Sequence, residues 1–276
     1  MFFWFRGLTY TQINNSDLML NLMKDPILYK YLDPKGAKLM LEKQNLQYTN
    51  ATYFNDPFDC HPALINCNDV PENVLNWPPS SFLKAQAENE LENLRIDTWI
   101  SCLSKRFDNP LMWGYYTKHK GVCIGLNRGS LARYINASLG FMAIGGVDVE
   151  YCDLLQRPDY FRSFIDVFHY QLCTKGKQWA HEEEVRFAII KPSVNFVSYS
   201  LNRDLEEEEI VDWKEVRFYP RIGLECFNSI YLGCRMPDKE KEEMLQLVKN
   251  KYPEMAVYKM EINPDRFGFD AVPIAI

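Results

Sequence analysis

The sequence lacks several features that would assign it to a broad class at once. Its 276 residues contain no run approaching about 18 consecutive apolar residues, so no membrane-spanning helix is predicted. The aromatic N-terminus is too short in its apolar run for a signal peptide and has no small-residue cleavage site. A basic excess is also missing: the formal net charge is -6, which argues against a general nucleic-acid binder but leaves local basic patches open. We therefore expect a cytoplasmic protein with no membrane partner.

Motifs that bind metals or phosphates are missing as well. The four histidines are scattered, and none of the eight cysteines has the C-x-x-C spacing of a zinc site. The glycines of Gly121–Gly125 and Gly145-Gly146 lack the spacing of a phosphate-binding loop. No metal site is predicted, and the cysteines are interpreted as reduced, mostly buried thiols.

What the sequence does have is enough apolar side chain for a sizeable core, with 47% hydrophobic and 14% aromatic residues. Short apolar strands and helices follow one another irregularly, which favours a mixed α+β fold. We expect one domain over residues 27–276 and an extension over residues 1–26 that packs on it or on a second copy. The acidic run Asp204–Glu209 is interpreted as a solvated loop or helix start. The predicted strands are Ile27–Leu32, Leu46–Thr49, Trp99–Ser104, Gly121–Leu126, Val147–Tyr151, Glu184–Ile190, Ile230–Gly233 and Ala256–Met260, and the predicted helices are Ala37–Glu42, Phe82–Leu94, Pro110–His119, Tyr160–Cys173 and Asp238–Lys249.

The first unusual motif is FNDPFD at Phe54–Asp59, which places polar residues between aromatic rings. Asn-Asp-Pro is strong turn chemistry, because the side chains can cap backbone N–H groups and proline fixes the corner. The motif is therefore either a structural corner or a corner that places Asn55, Asp56 or Asp59 in a cleft floored by aromatics. We expect it to brace a cleft wall, with Asn55 and Asp56 architectural rather than catalytic.

The second motif is the strand Ser101–Ser104, followed by a helix with three regularly spaced rings. Trp113, Tyr116 and His119 are three residues apart, so they are expected to share one helical face and to line a pocket for a flat ring. The alternative is that the tryptophan and tyrosine belong to the core and His119 is a hydrogen-bonded helix end. A nucleophile pair of Cys102 and His119 is conceivable, but a strand cysteine is more often an inert buried thiol.

The third motif is a row of three acids that leads into a strand. Alternation places Glu182, Glu184 and Arg186 on one side and the apolar Val185 and Phe187 on the other. Crowding these charges costs free energy unless they pair with each other or face a ligand. One interpretation is a Glu–Arg ion pair. The other is a Glu-x-Glu site in which one carboxylate binds a hydroxyl and stabilises a developing cation.

Together these segments resemble a bacterial family catalogued as a domain of unknown function. The resemblance runs from about residue 27 to 262 and implies no established activity. The motifs that carry it are Tyr29-Lys30-Tyr31, Asn55–Asp59, Ser101–Ser104, Met112-Trp113 with His119-Lys120-Gly121, Trp179 with Glu182–Arg186, and Ile230–Gly233.

The order of motifs also resembles, more loosely, the ADP-ribosyltransferase superfamily. That resemblance implies a mixed or antiparallel split-sheet core with flanking helices, NAD as the substrate, and Glu184 and Glu182 as catalytic residues. Glu184 would hold the ribose hydroxyl and offset an oxocarbenium-like charge, while Glu182 would orient the acceptor. Two departures are Lys30, where Arg or His is usual, and Ser-Cys-Leu-Ser in place of Ser-Thr-Ser. The residues implied to contact the nucleotide are Tyr29, Lys30, Tyr31, Ser101, Ser104, Trp113, Tyr116, His119 and Arg186.

Our leading hypothesis is thus an NAD-dependent ADP-ribosyltransferase or NAD glycohydrolase, acting as a bacterial toxin or phage-defence effector on a protein or nucleic-acid acceptor. One alternative is a non-catalytic sensor that binds a nucleotide or a phosphorylated ligand in the same cleft. Another is a metal-dependent nuclease that uses Asp56, Asp59, Glu182 and Glu184. The last is a structural or interaction protein that forms a homo-oligomer through the aromatic N-terminus.

Overall fold

The computed structural model describes residues 26–71, 78–139, 143–163, 166–191 and 215–275. The N-terminal extension, apart from its last residue, and the acidic run Asp204–Glu209 lie outside these ranges. Among the described segments, none of the helices combines the length and the apolar character that crossing a bilayer requires.

The described residues form twelve strands and six helices. The strands are β1 (Ile27–Leu32), β2 (Tyr48–Asn50), β3 (Thr98–Ser104), β4 (Val122–Asn127), β5 (Ala143–Asp148), β6 (Glu150–Cys152), β7 (Thr174–Gly176), β8 (Glu184–Ile190), β9 (Arg217–Phe218), β10 (Phe227–Leu232), β11 (Ala256–Ile262) and β12 (Phe269–Pro273). The helices are α1 (Pro34–Lys43), α2 (Ser80–Ile96), α3 (Pro110–Thr117), α4 (Arg128–Leu139), α5 (Val167–Cys173) and α6 (Asp238–Lys251).

Ten of these strands form one sheet in the order β12-β11-β10-β4-β1-β3-β2-β9, with β8 also paired to β3 and β5 paired to β8. The strands β6 and β7 form a separate two-stranded sheet. Only β10–β11 and β6–β7 are parallel among the described strand pairs. The predicted α+β class with a mixed, mostly antiparallel sheet is therefore confirmed.

The large sheet opens at β3, because β1 and β2 share one of its edges. Strand β2 pairs with Trp99 and Ile100, β1 pairs with Ser104, and β8 covers the other edge along its whole length. Cys102 lies between the two partial partners, and its carbonyl oxygen accepts a hydrogen bond from Lys30 Nζ at 2.9 Å. The lysine thus satisfies a backbone acceptor that the sheet leaves unpaired.

The two faces of the large sheet carry different side chains. Val185 and Phe187 of β8 lie in the main core with Leu28 and Leu126, whereas Glu184 and Arg186 are on the opposite face. The alternation predicted for β8 is therefore observed. A smaller cluster on that opposite face contains Tyr31, Met112, Trp113, Cys123 and Tyr231.

The helix predicted over Pro110–His119 ends two residues early, at Thr117. Lys118 and His119 both adopt positive φ angles, of 54° and 60°, which ends the helix and turns the chain into β4. Gly121 then passes so close to β1 that a Cβ atom would lie 2.2 Å from the carbonyl oxygen of Leu32. Any side chain at this position would push β4 away from β1.

Two other predicted elements differ from the structure, and four described elements were not predicted: helix α4 and strands β7, β9 and β12. The helix predicted from Tyr160 begins only at Val167, where the Asp166 side chain caps the first turn. The strand predicted over Val147–Tyr151 is two strands, β5 and β6, that belong to different sheets. Helix α4 was not predicted, because it follows β4 directly without a loop.

Candidate functional site

A cavity of about 220 Å³ opens where β1 and β2 separate along β3. Its walls are mostly aromatic, and its floor carries charged side chains. The aromatic and apolar lining residues are Tyr29, Tyr31, Tyr53, Phe54, Leu103, Met112 and Tyr116, and the polar ones are Lys30, Thr49, Asn55, Asp59, Cys102, Ser104, Lys175, Glu182 and Glu184.

Three of the sequence motifs meet in one row across the sheet beside this cavity. Tyr29 of β1 lies opposite Ser104 of β3, and Ser104 lies opposite Glu184 of β8. Side chains at directly opposed positions of antiparallel strands lie on the same face and contact each other. The pairing register therefore joins the tyrosine, serine and glutamate motifs on a single surface.

Arg186 ties Glu184 to the FNDPFD corner. Its Nε lies 2.8 Å from Glu184 Oε1, and a terminal nitrogen lies 2.8 Å from Asp59 Oδ2. The guanidinium also donates to the carbonyl oxygen of Leu172 and is only 1% exposed. Burial opposes its charge, but the carboxylates of Glu184 and Asp59 outweigh burial and raise the pKa of Arg186 well above its usual range.

Lys175 is the second cation of the floor, and no sequence motif pointed to it. Its ammonium nitrogen lies 2.6 Å from Glu182 Oε2, 3.3 Å from Glu184 Oε2 and 3.4 Å from Asp59 Oδ2. It also lies 4.8 Å from the ring centroid of Trp179. Burial alone would lower the pKa of Lys175, but the three carboxylates raise it. No local pattern marks Lys175, because it follows the polar Thr174 and no motif includes it.

The two glutamates of the predicted Glu-x-Glu motif are both buried. Burial would raise the pKa of Glu184, but Arg186 and Lys175 outweigh that effect and lower it to about 2. Glu182 Oε1 accepts a hydrogen bond of 2.5 Å from the hydroxyl of Tyr116. Burial and the Glu182 charge raise the pKa of Tyr116, so the phenol stays protonated and donates. Each carboxylate oxygen of Glu182 has one protein partner and keeps a lone pair for a ligand hydroxyl.

The FNDPFD corner forms one wall of the cavity and delivers a charge to its floor. Asp56 is buried, and its side chain accepts from the backbone N–H of Phe58 at 3.0 Å, so it stabilises the turn. Asn55 lines the cavity. Phe54 lies against the guanidinium of Arg186, with 5.6 Å between Cζ and the ring centroid. Asp59 joins the ion pairs, so the corner both braces the wall and positions a carboxylate.

Residues 112–187 match the model of a family described as "Protein of unknown function (DUF2971)". The match supports a domain-of-unknown-function family for this chain. No curated protein and no solved structure matches this chain.

The DUF2971 match covers one side of the candidate site. Met112, Tyr116, Lys175, Glu182 and Glu184 all lie inside the matched segment and line the cavity. Strand β1 and the FNDPFD corner, which form the other wall, lie outside it. The ionic floor therefore comes mainly from the part of the chain that resembles DUF2971.

Four residues implied to contact a nucleotide, Ser101, Trp113, His119 and Arg186, do not line the cavity. Ser101 lies opposite Phe187 on the core face of β3. Side chains alternate between the two faces of a strand, so Ser101 is on the other face from Cys102 and Ser104. Trp113 is buried against Tyr31, with ring centroids 5.3 Å apart. His119 lies beyond the end of α3, so it does not share a helical face with Tyr116. Arg186 is also absent from the lining, because Asp59, Glu184 and Leu172 occupy its guanidinium.

The structure also gives no support to Cys102 as a nucleophile. Burial and the neighbouring Glu184 charge raise the pKa of its thiol well above the ordinary value. A thiol in that environment carries little of the thiolate that nucleophilic attack requires.

Proposed function

We propose that this chain is an NAD-dependent ADP-ribosyltransferase or NAD glycohydrolase, with an ADP-ribosyltransferase-like split sheet. The observation that carries the proposal is the row formed by Tyr29, Ser104 and Glu184 across β1, β3 and β8. The superfamily layout calls for the same three elements in the same order: a nucleotide-binding strand, a serine-bearing strand and a strand opened by a glutamate. Their meeting beside an aromatic cavity supports a common use.

The size and lining of the cavity fit the reactive end of NAD. Pockets that enclose a drug-sized ligand have volumes of about 300–1,000 Å³, whereas this cavity has about 220 Å³. This volume is smaller than a whole dinucleotide needs, so in our proposal the nicotinamide and its ribose enter the cavity and the adenylate half lies outside. Tyr29, Tyr31 and Tyr116 supply aromatic surface for the flat pyridinium ring.

The charged floor fits the cleavage of the bond between nicotinamide and ribose. The electron pair of that bond leaves with the nicotinamide, and positive charge develops on the sugar. Glu184 is ionised at neutral pH because its pKa is lowered, so it offsets this charge and accepts from a ribose hydroxyl. Glu182 then orients water or an acceptor group through its remaining lone pairs. The nucleophile forms the new bond to the sugar and gives its proton to solvent or to a nearby base.

Nicotinamide release by the purified protein tests this proposal. Removing one electrostatic stabiliser of a transition state typically lowers the rate by about 100- to 1,000-fold. We expect that loss for Glu184→Gln and Glu182→Gln, both of which keep the shape of the side chain. Glu183→Gln is the matched control, because the Glu183 side chain is 41% exposed and its carboxylate pairs with Arg106 at 3.5 Å, away from the floor. No release by the wild-type protein, or equal release by all four proteins, would refute the proposal.

A second candidate is a sensor that binds a nucleotide without turning it over. It is favoured by the ion pairs themselves, because each carboxylate of the floor is already held by Lys175 or Arg186. Such a floor is rigid before any ligand arrives, which suits binding. Thermal stabilisation by NAD or ADP-ribose, with the ligand recovered intact, would support this candidate over the enzyme.

The nuclease alternative finds less support in the geometry. Asp59, Glu182 and Glu184 point at Lys175 and Arg186, and Asp56 caps a turn. Among the described residues, no group of three or more acidic, histidine or cysteine side chains is arranged to hold a metal ion.

Consumption of NAD by the proposed enzyme would fit the role of a bacterial toxin or phage-defence effector.

A further inference from the structure

We infer that Lys175 is the positioning residue of this site: it holds Glu182 and Glu184 side by side so that both carboxylates face the cavity. The structural part of this inference depends only on the contacts of the floor. Its catalytic part rests on the proposed function.

The contacts of Lys175 fit this role. A lysine ammonium has three donors, and three carboxylates from three different segments surround this one at 2.6 to 3.4 Å. The side chain of Lys175 is only 4% exposed. A single cation thus joins the FNDPFD corner, the turn that contains Glu182, and the first residue of β8.

The two-stranded sheet explains how Lys175 reaches its position. Tyr151 of β6 is the direct pairing partner of Lys175 in β7. The hydroxyl of Tyr151 accepts from the backbone N–H of Glu184 at 2.9 Å, while Lys175 contacts the carboxylate of the same residue. One pair of opposed side chains therefore fixes both the backbone and the side chain of Glu184.

Loss of Lys175 would leave the floor with too little positive charge. The three carboxylates of Asp59, Glu182 and Glu184 would then face Arg186 and, more remotely, Lys30. Carboxylates that share a site without a compensating cation do not all stay ionised, so one would bind a proton. The other titratable groups around the floor all have raised pKa values and supply no positive charge. They are two tyrosines, Tyr116 of α3 and Tyr151 of β6, and three thiols, Cys102 of β3, Cys60 at the corner and Cys173 of α5.

The first test measures titration and does not need activity. The thermal stability of Lys175→Met is compared with that of the wild type from neutral to acid pH, with Lys177→Met as the control. Lys177 lies on the same segment but is 62% exposed in its pair with Asp153. An opposite charge at this distance lowers a carboxyl pKa by about 1–3. We define the acid midpoint as the pH at which half of the acid-sensitive stability is lost. The acid midpoint of K175M should therefore be higher than that of the wild type by about the same amount.

The outcomes separate the two proposals. A K175M acid midpoint equal to that of K177M would overturn the inference, whatever the activity of the protein. If K175M does not fold, NMR titration of the wild-type Glu184 carboxyl decides: we expect it to be ionised at about pH 4, and a protonated carboxyl there would overturn the inference. Absence of nicotinamide release by the wild type would refute the proposed function and leave these titrations valid.

The second test applies if the wild type is active. Lys175→Arg keeps the positive charge but changes the donor geometry, so its acid midpoint should match the wild type. Misplacing a reacting group by about 1 Å can cost about 100-fold in rate, and we expect a loss of that size in kcat. Full activity of K175R would show that charge alone is needed and would overturn the positioning role.

Discussion

Arg186→Met should be among the most destabilising substitutions in the chain. The guanidinium is 1% exposed and is held by Glu184 and Asp59, which are themselves buried. Methionine fills similar volume but leaves both carboxylates without this partner. Removing one side of a buried ion pair costs about 3–5 kcal/mol, because a buried charge is left uncompensated. At about 2–4 °C per kcal/mol for a domain approaching this size, Tm should fall by about 6–20 °C.

Thermal and urea unfolding, followed by circular dichroism, would measure this loss against a matched arginine. Arg106 pairs with Asp108 but is 48% exposed, so Arg106→Met should cost only about 0.2–1 kcal/mol. Adding Asp59→Asn to R186M should recover part of the loss, since it removes one of the stranded charges. If R186M were no less stable than R106M, the floor would be solvated in solution, and its carboxylates would not depend on the buried guanidinium.

Three further predictions concern the backbone, pH and the ligand. Gly121→Ala should lower the free energy of unfolding, measured with a chemical denaturant, by several times about 1 kcal/mol, because the new Cβ would lie 2.2 Å from the Leu32 carbonyl oxygen. Gly114→Ala in α3 has room for the added methyl group and should raise the free energy of unfolding by about 0.5–1 kcal/mol. The pKa of Glu184 is lowered from 4.5 to about 2, so its contribution to stability is complete above pH 4.5 and is lost as the pH falls toward 2. Between pH 4.5 and 2 the Tm of E184Q should therefore vary less with pH than the Tm of the wild type. Parallel plots of Tm against pH for the two proteins would contradict the lowered pKa of Glu184. Tyr53 is 64% exposed and lines the cavity, so Tyr53→Ala should raise the KM for NAD and leave Tm unchanged; a lower Tm with an unchanged KM would make it structural.

The parts of the fold that the sequence predicts well are those decided by neighbouring residues. The alternation of Glu184, Val185, Arg186 and Phe187 is a local period of two, and the structure has it on β8. Turn chemistry likewise located the corner at Asn55-Asp56-Pro57. On β8 the residue types also determine which side is buried. At the corner they determine only the turn, because Asp56 and Asp59 are buried while Phe58 is 66% exposed.

The parts that escaped prediction depend on contacts between distant segments. Lys175 becomes part of the floor because β7 pairs with β6, more than twenty residues earlier in the chain, and no local pattern records that pairing. Ser101 and Ser104 are both strand serines, and only the register with β8 decides which one faces the cavity. Helix α4 was different, since the Asn127 side chain caps the N–H of Ser130 and could have marked its start.

The opening of the sheet accounts for both the cavity and its polarity. Because β1 and β2 leave the middle of the β3 edge unpaired, the carbonyl oxygen of Cys102 needs a donor, and Lys30 supplies it. An apolar residue at position 30 would leave that acceptor unsatisfied at a cost of about 1–3 kcal/mol. Burial lowers the pKa of Lys30, while the nearby Cys102 and Glu184 partly oppose that shift. The same gap that makes room for a ligand therefore brings an amine to the cavity wall near Glu184, so the architecture of the sheet places a hydrogen-bond donor where a polar ligand would meet it.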